Sequence, residues 1–155
     1  MSFGKSIQLF AFGIVLSVFC ACSTPQPLGY ERTGEVKCMT HDRETITLAS
    51  RAMGSTSGEA QFNADVKAFE NLFYKGVPNS NQEAPLIDSK KKDEVADKLV
   101  DFFNSGEYKH YLMESSVLDQ TVNKGTYFVD QKVQVHLSAL RKYLEDNNII
   151  RKFGI

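Results

Sequence analysis

The chain has 155 residues, which suffices for one folded domain and is short for two. Hydrophobic residues make up 42% of the chain, an ordinary share for a protein with a buried core, and the formal net charge at pH 7 is −1. This near-neutral balance argues against a nucleic-acid-binding protein, because phosphate recognition requires a concentrated basic surface.

The start of the chain has the pattern of an export signal. Lys5 precedes an apolar run from about residue 7 to residue 20, and no acidic residue occurs before Glu31. Export signals combine a positive start, a short hydrophobic middle and a small residue before the cleavage point. The run is shorter than the roughly 18 to 20 residues that span a bilayer as a helix, so we expect a cleaved signal peptide.

The Cys-Ala-Cys-Ser run that follows resembles the lipobox of bacterial lipoprotein precursors. In these precursors a small residue precedes a cysteine, which is lipidated and becomes the first residue of the mature chain. Cys22 fits this role better than Cys20, because Ala21 precedes Cys22 and the bulky Phe19 precedes Cys20. Phe19 also departs from the usual lipobox pattern, because lipoboxes usually carry leucine three residues before the cysteine. The resemblance implies a signal peptide over residues 1–21 and lipidation at Cys22, with an ordinary secreted protein as the alternative.

Lipidation at Cys22 would anchor the chain stably to a membrane. Two palmitate-type chains on the sulfur and a third on the amine exceed the single chain that holds a protein only marginally, at about 0.8 kcal/mol per buried methylene. In similar lipoproteins of double-membrane bacteria, an acidic residue after the cysteine often retains the protein at the inner membrane. Here that residue is Ser23. The resemblance therefore implies the periplasmic face of the outer membrane.

The region after the lipobox predicts a tether and then one domain. Residues 22–34 contain two prolines and two glycines without hydrophobic periodicity, which favours a flexible tether. We expect a single folded domain over residues 35–155. Once Cys22 is lipidated, Cys38 is the only cysteine of this domain, so no internal disulfide can form and the core must stabilise the fold.

The domain begins with a predicted strand and a predicted helix. The segment "ETITLASRA" alternates as a half-buried strand does, with one side formed by Ile46, Leu48, Ser50 and Ala52. The preceding "EVKCM" predicts either a partner strand or an extension. In "STSGEAQFNADVKAFENLFYKG" the hydrophobic spacing predicts an amphipathic helix, with capping oxygens at residues 55–57 and an end at Gly76. Its expected inward residues are Phe62, Val66, Phe69 and Phe73, and its expected outward residues are Asn63, Lys67, Glu70 and Asn71.

A loop and a second predicted helix come next. Residues 77–88 predict a loop or extended segment, and "KKKDEVADKLVDFFNSG" predicts a helix that ends at Gly106. The expected inward residues of this helix are Val95, Leu99, Phe102 and Phe103. Its charged start at residues 89–94 is interpreted as a solvated helix end rather than a lipid contact.

The last third of the chain predicts a hairpin and a closing helix. "EYKHYLMESSVL" predicts a short helical turn that leads into a strand around residues 116–122. The "NKG" turn joins this strand to the alternating "TYFVDQKVQVHL". Ser138 is expected to cap a final helix that ends at residues 147–148, and the inward or docking residues are expected to be Leu140, Tyr143, Leu144, Ile149, Ile150 and Phe153. The predicted fold is α+β in the order β-α-α-β-β-α, with helices packed on one face of a small antiparallel or mixed sheet.

This pattern resembles small bacterial lipoproteins related to the N-terminal domain of flagellar assembly protein T. The resemblance rests on a strand, a glycine turn and a helix with alanines at every fourth residue, here Ala60, Ala64 and Ala68. A "KGVPNS" segment at residues 75–80, with Pro85 and Leu86 after it, also matches. The resemblance covers most of the mature chain and implies an envelope- or appendage-associated protein without an active site.

Two sets of residues could carry chemistry, and a structural role is favoured for both. Cys38 and His41 could form a nucleophilic pair, but a spacing of three places them on opposite faces of a strand, which favours a packing role for the cysteine. The histidines and two acids near the first of them could bind a metal, but their scattered positions lack the fixed spacing of zinc sites. This second set is His41, Asp42, Glu44, His110 and His136.

These observations favour a non-catalytic envelope protein. We expect no enzyme activity, no cofactor and no metal, and we expect the chain to act as an interaction or assembly component. Its partners would be the membrane, through the lipid on Cys22, and other envelope proteins. The first alternative is a binding module for an envelope ligand such as peptidoglycan or a glycan, which would use an exposed patch that includes Tyr108, Tyr111 or Tyr127. The second alternative is an enzyme that relies on Cys38.

Overall fold

The structure, a computed structural model, describes residues 36–152. The predicted signal peptide, Cys22, the tether and the docking of Phe153 lie outside these residues. The described elements follow the order β-β-α-α-β-β-α, so the predicted α+β fold is confirmed, and residues 36–39 of "EVKCM" belong to a separate partner strand. Among the described helices, none has both the length and the apolar character needed to cross a membrane.

The four strands form one antiparallel sheet. They are β1 (Val36–His41), β2 (Thr45–Gly54), β3 (Leu112–Asn123) and β4 (Thr126–His136). Their spatial order is β1-β2-β4-β3, so β1 and β3 are the two edges of the described sheet. The helices are α1 (Ser57–Tyr74), α2 (Lys92–Asn104) and α3 (Leu137–Asp146), with short 3-10 turns at Ser89–Lys91 and Glu107–His110.

One face of the sheet carries the core. The predicted alternation is confirmed in β4 and in most of β2, although Thr47 on the other side of β2 is also buried. The inward residues of the two strands are Ile46, Leu48, Ser50, Ala52, Val129, Gln131, Val133 and Val135. Helix α1 packs across β2 and β4. The hydroxyl of Ser50 donates a hydrogen bond of 2.8 Å to the carbonyl of Ala64, which ties the strand to the helix.

An aromatic cluster joins α1 to α2. Phe69 is fully buried, and its ring lies between 5.8 and 6.1 Å, centroid to centroid, from four other rings. These four rings belong to Phe73, Phe102, Phe103 and Tyr108. Such pairs contribute about 0.5–1.5 kcal/mol each beyond the area they bury. The predicted inward face of α2 is confirmed, since Val95, Leu99, Phe102 and Phe103 are all buried.

The predicted faces of α1 need two corrections. Lys67, expected outside, is only 3% exposed, and Phe62, expected inside, is 39% exposed. Six consecutive residues, 64–69, are buried in the middle of α1. The sheet and the ring cluster with α2 both pack on this helix, so its buried surface is wider than the single stripe that the periodicity predicts.

The turns and caps follow from local chemistry. Lys124 (φ 48) and Gly125 (φ 80) connect β3 to β4, and two successive positive φ angles are the requirement of a type I′ hairpin turn. The hydroxyl of Thr56 accepts the Glu59 N–H at 3.1 Å and caps α1, within the predicted window. The cap of α3 is His136 rather than the predicted Ser138, because β4 runs into α3 without a loop and its last residue takes the capping position.

Both edge strands contain β-bulges. An extra residue interrupts the pairing of β1 at Met39 and that of β3 at Met113 and Leu118. All three bulge side chains are exposed, by 47%, 54% and 52% respectively. Bulges bend an edge and change the direction of the inserted side chain. In β3, the pairing is regular from Asp119 to Asn123.

Candidate functional site

Cys38 and His41 both lie on β1. The bulge at Met39 shifts the register, so that Cys38 lies opposite Leu48 and His41 opposite Ile46. Directly opposed residues point to the same side of a sheet, so the prediction of opposite faces is wrong. No hydrogen bond joins the two described side chains. Burial raises the pKa of the Cys38 thiol, which disfavours the thiolate, and the side chain packs against the core as predicted.

The candidate metal ligands make structural hydrogen bonds and ion pairs, and Asp42 and His136 also interact electrostatically. The Asp42 carboxylate accepts the N–H groups of Glu44 and Thr45, both at 2.8 Å, and these bonds lower the pKa of Asp42. His136 Nδ1 accepts the Ala139 N–H, and His110 lies 3.8 Å from the Glu107 carboxylate. Within residues 36–152, no group of three or more histidine, cysteine, aspartate or glutamate side chains could hold a metal ion.

Of the three tyrosines predicted for an exposed patch, Tyr108 is buried, so the prediction is wrong for that residue. Tyr108 is 4% exposed and belongs to the aromatic cluster around Phe69. Tyr111 is half-buried and stacks on Phe102 at 5.9 Å, while burial and the neighbouring Glu107 raise the pKa of Tyr111 to about 12. Tyr127 is half-buried at the other end of the sheet, opposite Gly54. Tyr108 therefore belongs to the core and Tyr111 packs against it, while Tyr127 remains partly exposed.

A buried polar network fixes β3 and β4 against α1. The Asp65 carboxylate, 8% exposed as a residue, accepts hydrogen bonds from the Ser115 hydroxyl at 2.8 Å and the Gln131 amide at 2.6 Å. Burial raises the pKa of Asp65, although both hydrogen bonds act to lower it. The Gln131 amide also donates to Ser115. These hydrogen bonds hold the edge strand β3 against α1 and β4, while Gln131 Oε1 is buried without a hydrogen-bond partner in the described structure.

The first candidate surface is the β3 edge, defined as the unpaired side of β3 and four exposed side chains. Within residues 36–152, β3 pairs only with β4, so the backbone on its other side has no strand partner. The exposed large apolar side chains of this strand are 43–56% accessible and belong to Met113, Val117, Leu118 and Val122, while most of its polar side chains are exposed as well. Exposed apolar side chains along an unpaired edge are typical of a docking surface.

The second candidate is a cavity of about 400 Å³ between the segment 81–86 and helix α3. The segment is held against α1 by backbone hydrogen bonds from Leu86 N–H to the Leu72 carbonyl, 3.0 Å, and from Ile87 N–H to the Phe73 carbonyl, 2.9 Å. The described lining residues are Asn81, Gln82, Glu83, Ala84, Pro85, Leu86, Arg141 and Glu145. We call this space the Arg141 cavity.

Arg141 is the one cationic side chain among the described lining residues of the cavity. Its Nε donates to Gln82 Oε1 at 3.2 Å, and its Nη2 donates to the same oxygen and to the Asn81 carbonyl, the latter at 3.3 Å. The Nη1 group makes no hydrogen bond within the described residues. Desolvation lowers the pKa of Arg141, and arginine nevertheless stays charged in proteins.

The polar groups of the cavity are only partly satisfied by one another. Asn81 Nδ2 donates to the Asp42 carbonyl, and this fixes the amide so that Asn81 Oδ1 is buried without a partner in the described structure. Glu83 is exposed and its carboxylate has no hydrogen bond or ion pair there. Arg141 and Glu83 therefore line the same cavity without neutralising each other.

Sequence reasoning did not single out this cavity. Its wall was predicted only as a loop, although Pro85 and Leu86 carried part of the family resemblance. Arg141 lies next to the buried Leu140 on α3, and an arginine beside an inward residue is a weak signal for a half-buried guanidinium. Its partner Gln82 lies 59 positions earlier, so no local pattern relates the two.

No protein-family model matches this chain, and no curated protein or solved structure matches it significantly. The resemblance to the N-terminal domain of flagellar assembly protein T stays a prediction.

Proposed function

We propose that this chain is a lipid-anchored bacterial envelope protein that acts as a non-catalytic assembly component and docks on other envelope proteins through the β3 edge. The observation that carries this proposal is the set of four exposed apolar side chains on an edge strand. The export pattern and the lipobox at Cys22 support its location at the periplasmic face of the outer membrane.

The partner proposed for the β3 edge is a short extended segment of an envelope protein. An added strand would take main-chain hydrogen bonds from the regular stretch Asp119–Asn123, between the Leu118 bulge and the hairpin turn. Val122 lies within this stretch and Leu118 at its start, so apolar side chains of the partner would cover them. The network around Asp65 holds β3 in place before binding, which lowers the ordering cost of association.

The lipid anchor is tested by replacing each candidate cysteine. Cys22→Ala is expected to abolish incorporation of an alkyne-labelled fatty acid and to release the protein from the membrane fraction, because the acyl chains supply the anchoring free energy. Cys20→Ala is expected to keep both the label and the membrane location. Label retained in Cys22→Ala but lost in Cys20→Ala would show that Cys20 is the lipidated residue.

The β3 edge is tested by photo-cross-linking in living cells. A photoreactive amino acid at Val122 is expected to give a discrete adduct that mass spectrometry identifies as an envelope protein. The same amino acid at Asp97, an exposed position on α2, serves as the control and is expected to give none. A second substitution, Leu118→Lys, is expected to reduce the Val122 adduct several-fold by placing a charge in the contact. Equal adducts at positions 122 and 97, or no adduct at either, would contradict the docking proposal.

A second candidate function is the binding of a small envelope ligand, and the Arg141 cavity favours it. A volume of about 400 Å³ falls within the range of about 300–1,000 Å³ for small-molecule sites. In this cavity the Nη1 group of Arg141 also has N–H donors without a hydrogen-bond partner among the described residues. This site takes the place of the tyrosine patch that the sequence predicted.

A further inference from the structure

We infer that the Arg141 cavity binds a zwitterionic amino acid or dipeptide, with the ligand carboxylate on Arg141 and its ammonium group on Glu83. This inference rests on the second candidate function, ligand binding, and assigns the chemical class of the ligand.

The carboxylate half of the site is argued from the hydrogen bonds of Arg141. Gln82 and the Asn81 carbonyl hold Nε and Nη2, so the plane of the guanidinium is fixed before a ligand arrives. The two N–H donors of Nη1 remain for a ligand. No described carboxylate lies within ion-pair distance of this half-buried cation. A ligand carboxylate there would form charge-assisted hydrogen bonds, which are about twice as strong as neutral ones.

The ammonium half is argued from the acidic side chains. Glu83 lines the same cavity as Arg141, so a simple anion would gain the attraction of the guanidinium and meet the repulsion of the Glu83 carboxylate. Glu83 has no ion-pair partner among the described residues and can receive a cationic group. A ligand that carries both charges satisfies Arg141 and Glu83 together, whereas a neutral ligand leaves both unmatched. The charge pattern therefore favours a zwitterion over free phosphate or a monocarboxylate.

The remaining lining residues indicate a small aliphatic ligand. Ala84, Pro85 and Leu86 form the apolar part of the wall, and no described aromatic ring lines the cavity. Short aliphatic side chains would contact this wall without requiring a stacking partner. Alanyl-alanine combines these features with a free carboxylate and a free ammonium group, and it is therefore the probe of choice.

The test compares three peptides on the full chain purified in a non-ionic detergent. Isothermal titration calorimetry is expected to show binding of alanyl-alanine with a Kd below about 1 mM. N-acetyl-alanyl-alanine lacks the ammonium group, and alanyl-alaninamide lacks the carboxylate. Each is expected to bind at least tenfold more weakly. Equal affinity for either capped peptide, or no detectable binding of alanyl-alanine, would overturn the inference.

Variants assign the binding to this cavity. Arg141→Gln is expected to weaken alanyl-alanine binding at least tenfold. This substitution also removes the hydrogen bonds from Arg141 to Gln82, so a second variant is needed. Glu83→Gln changes an exposed side chain without described hydrogen bonds, so folding should be unaffected. It is expected to weaken alanyl-alanine binding about tenfold and to strengthen binding of the acetylated peptide, because the repulsion between Glu83 and that anion is removed. Glu94→Gln, exposed on α2, is the matched control. Unchanged alanyl-alanine affinity in Glu83→Gln would contradict the assignment.

A separate measurement distinguishes failure of this inference from failure of the ligand-binding function. Sedimentation of the full chain with cell-wall sacculi tests binding to an envelope polymer directly. Sedimentation that persists in Arg141→Gln, together with no dipeptide binding, would overturn the zwitterion assignment and retain an envelope-ligand function elsewhere on the protein. A different result would support both the ligand-binding function and the zwitterion assignment. In that case the Arg141→Gln variant does not sediment with the sacculi, and alanyl-alanine competes with sedimentation of the unmodified chain.

Discussion

Replacing Phe69 by alanine is expected to lower the free energy of unfolding by about 3–5 kcal/mol. The Phe69 ring is fully buried and contacts four other rings at centroid distances of 5.8–6.1 Å, so truncation leaves a cavity where α1 meets α2. Domains of this size are stable by only about 5–15 kcal/mol, so the loss is a large share of the total. Thermal unfolding followed by circular dichroism measures it.

Phe62→Ala is the matched control, because it makes the same chemical change on the same helix. Phe62 is 39% exposed, and its ring contacts Tyr108 at a centroid distance of 6.1 Å. We expect Phe62→Ala to cost about 1 kcal/mol, typical of a partly exposed position. Equal losses in the two variants would contradict the central place of Phe69 in the core.

Replacing Gly76 by alanine is expected to lower the free energy of unfolding by more than the amount that a positive φ angle alone costs an alanine. Gly76 has φ 74, and the left-handed region costs other residues about 1–2 kcal/mol. A Cβ at this position would lie 1.9 Å from the Glu83 carbonyl oxygen and 2.9 Å from the Ala84 carbonyl carbon. Both contacts are to backbone, so no side-chain rotation can relieve them. The segment 83–86 must move, and alanyl-alanine binding is expected to weaken with it.

Gly58→Ala controls for the general effect of a glycine-to-alanine change. Gly58 lies in the first turn of α1, and a Cβ added there would meet nothing within 4 Å. Alanine restricts the unfolded chain, so this variant is expected to gain about 0.4–1 kcal/mol. Thermal unfolding of both variants gives the comparison. A Gly76→Ala protein as stable as the unmodified chain would show that the close approach of Glu83 is not a constraint.

Periodicity predicted the parts of the fold in which one face is buried. Val133 and Val135 point inward because helices cover only one face of β4. Hydrophobic residues at every second position indicate a strand of this kind directly. Leu99 and Phe102 follow the helical period for the same reason. The Lys124-Gly125 turn was also predictable, because its two positive φ angles depend on neighbouring residues alone.

The errors occur where burial depends on distant parts of the chain. Lys67 is buried because α1 has neighbours on two sides, which its own sequence does not reveal. The Met39 bulge changes the face of His41 by one inserted residue, and such an insertion has no compositional signature. The Arg141 cavity was missed for a related reason, since Gln82 and Arg141 meet only after the three-dimensional fold has formed.

The bulges limit how copies of this protein can join. A chain tethered to a bilayer, as proposed here, meets other copies at high density in two dimensions. Two straight sheet edges would then allow copies to polymerise into continuous ribbons. The insertions at Met39, Met113 and Leu118 break the hydrogen-bond spacing on both sides, so such growth would lose register at every junction. If the proposed anchor holds the chain on a membrane, these insertions would disfavour such fibres, while the regular stretch at residues 119–123 would still accept one short strand.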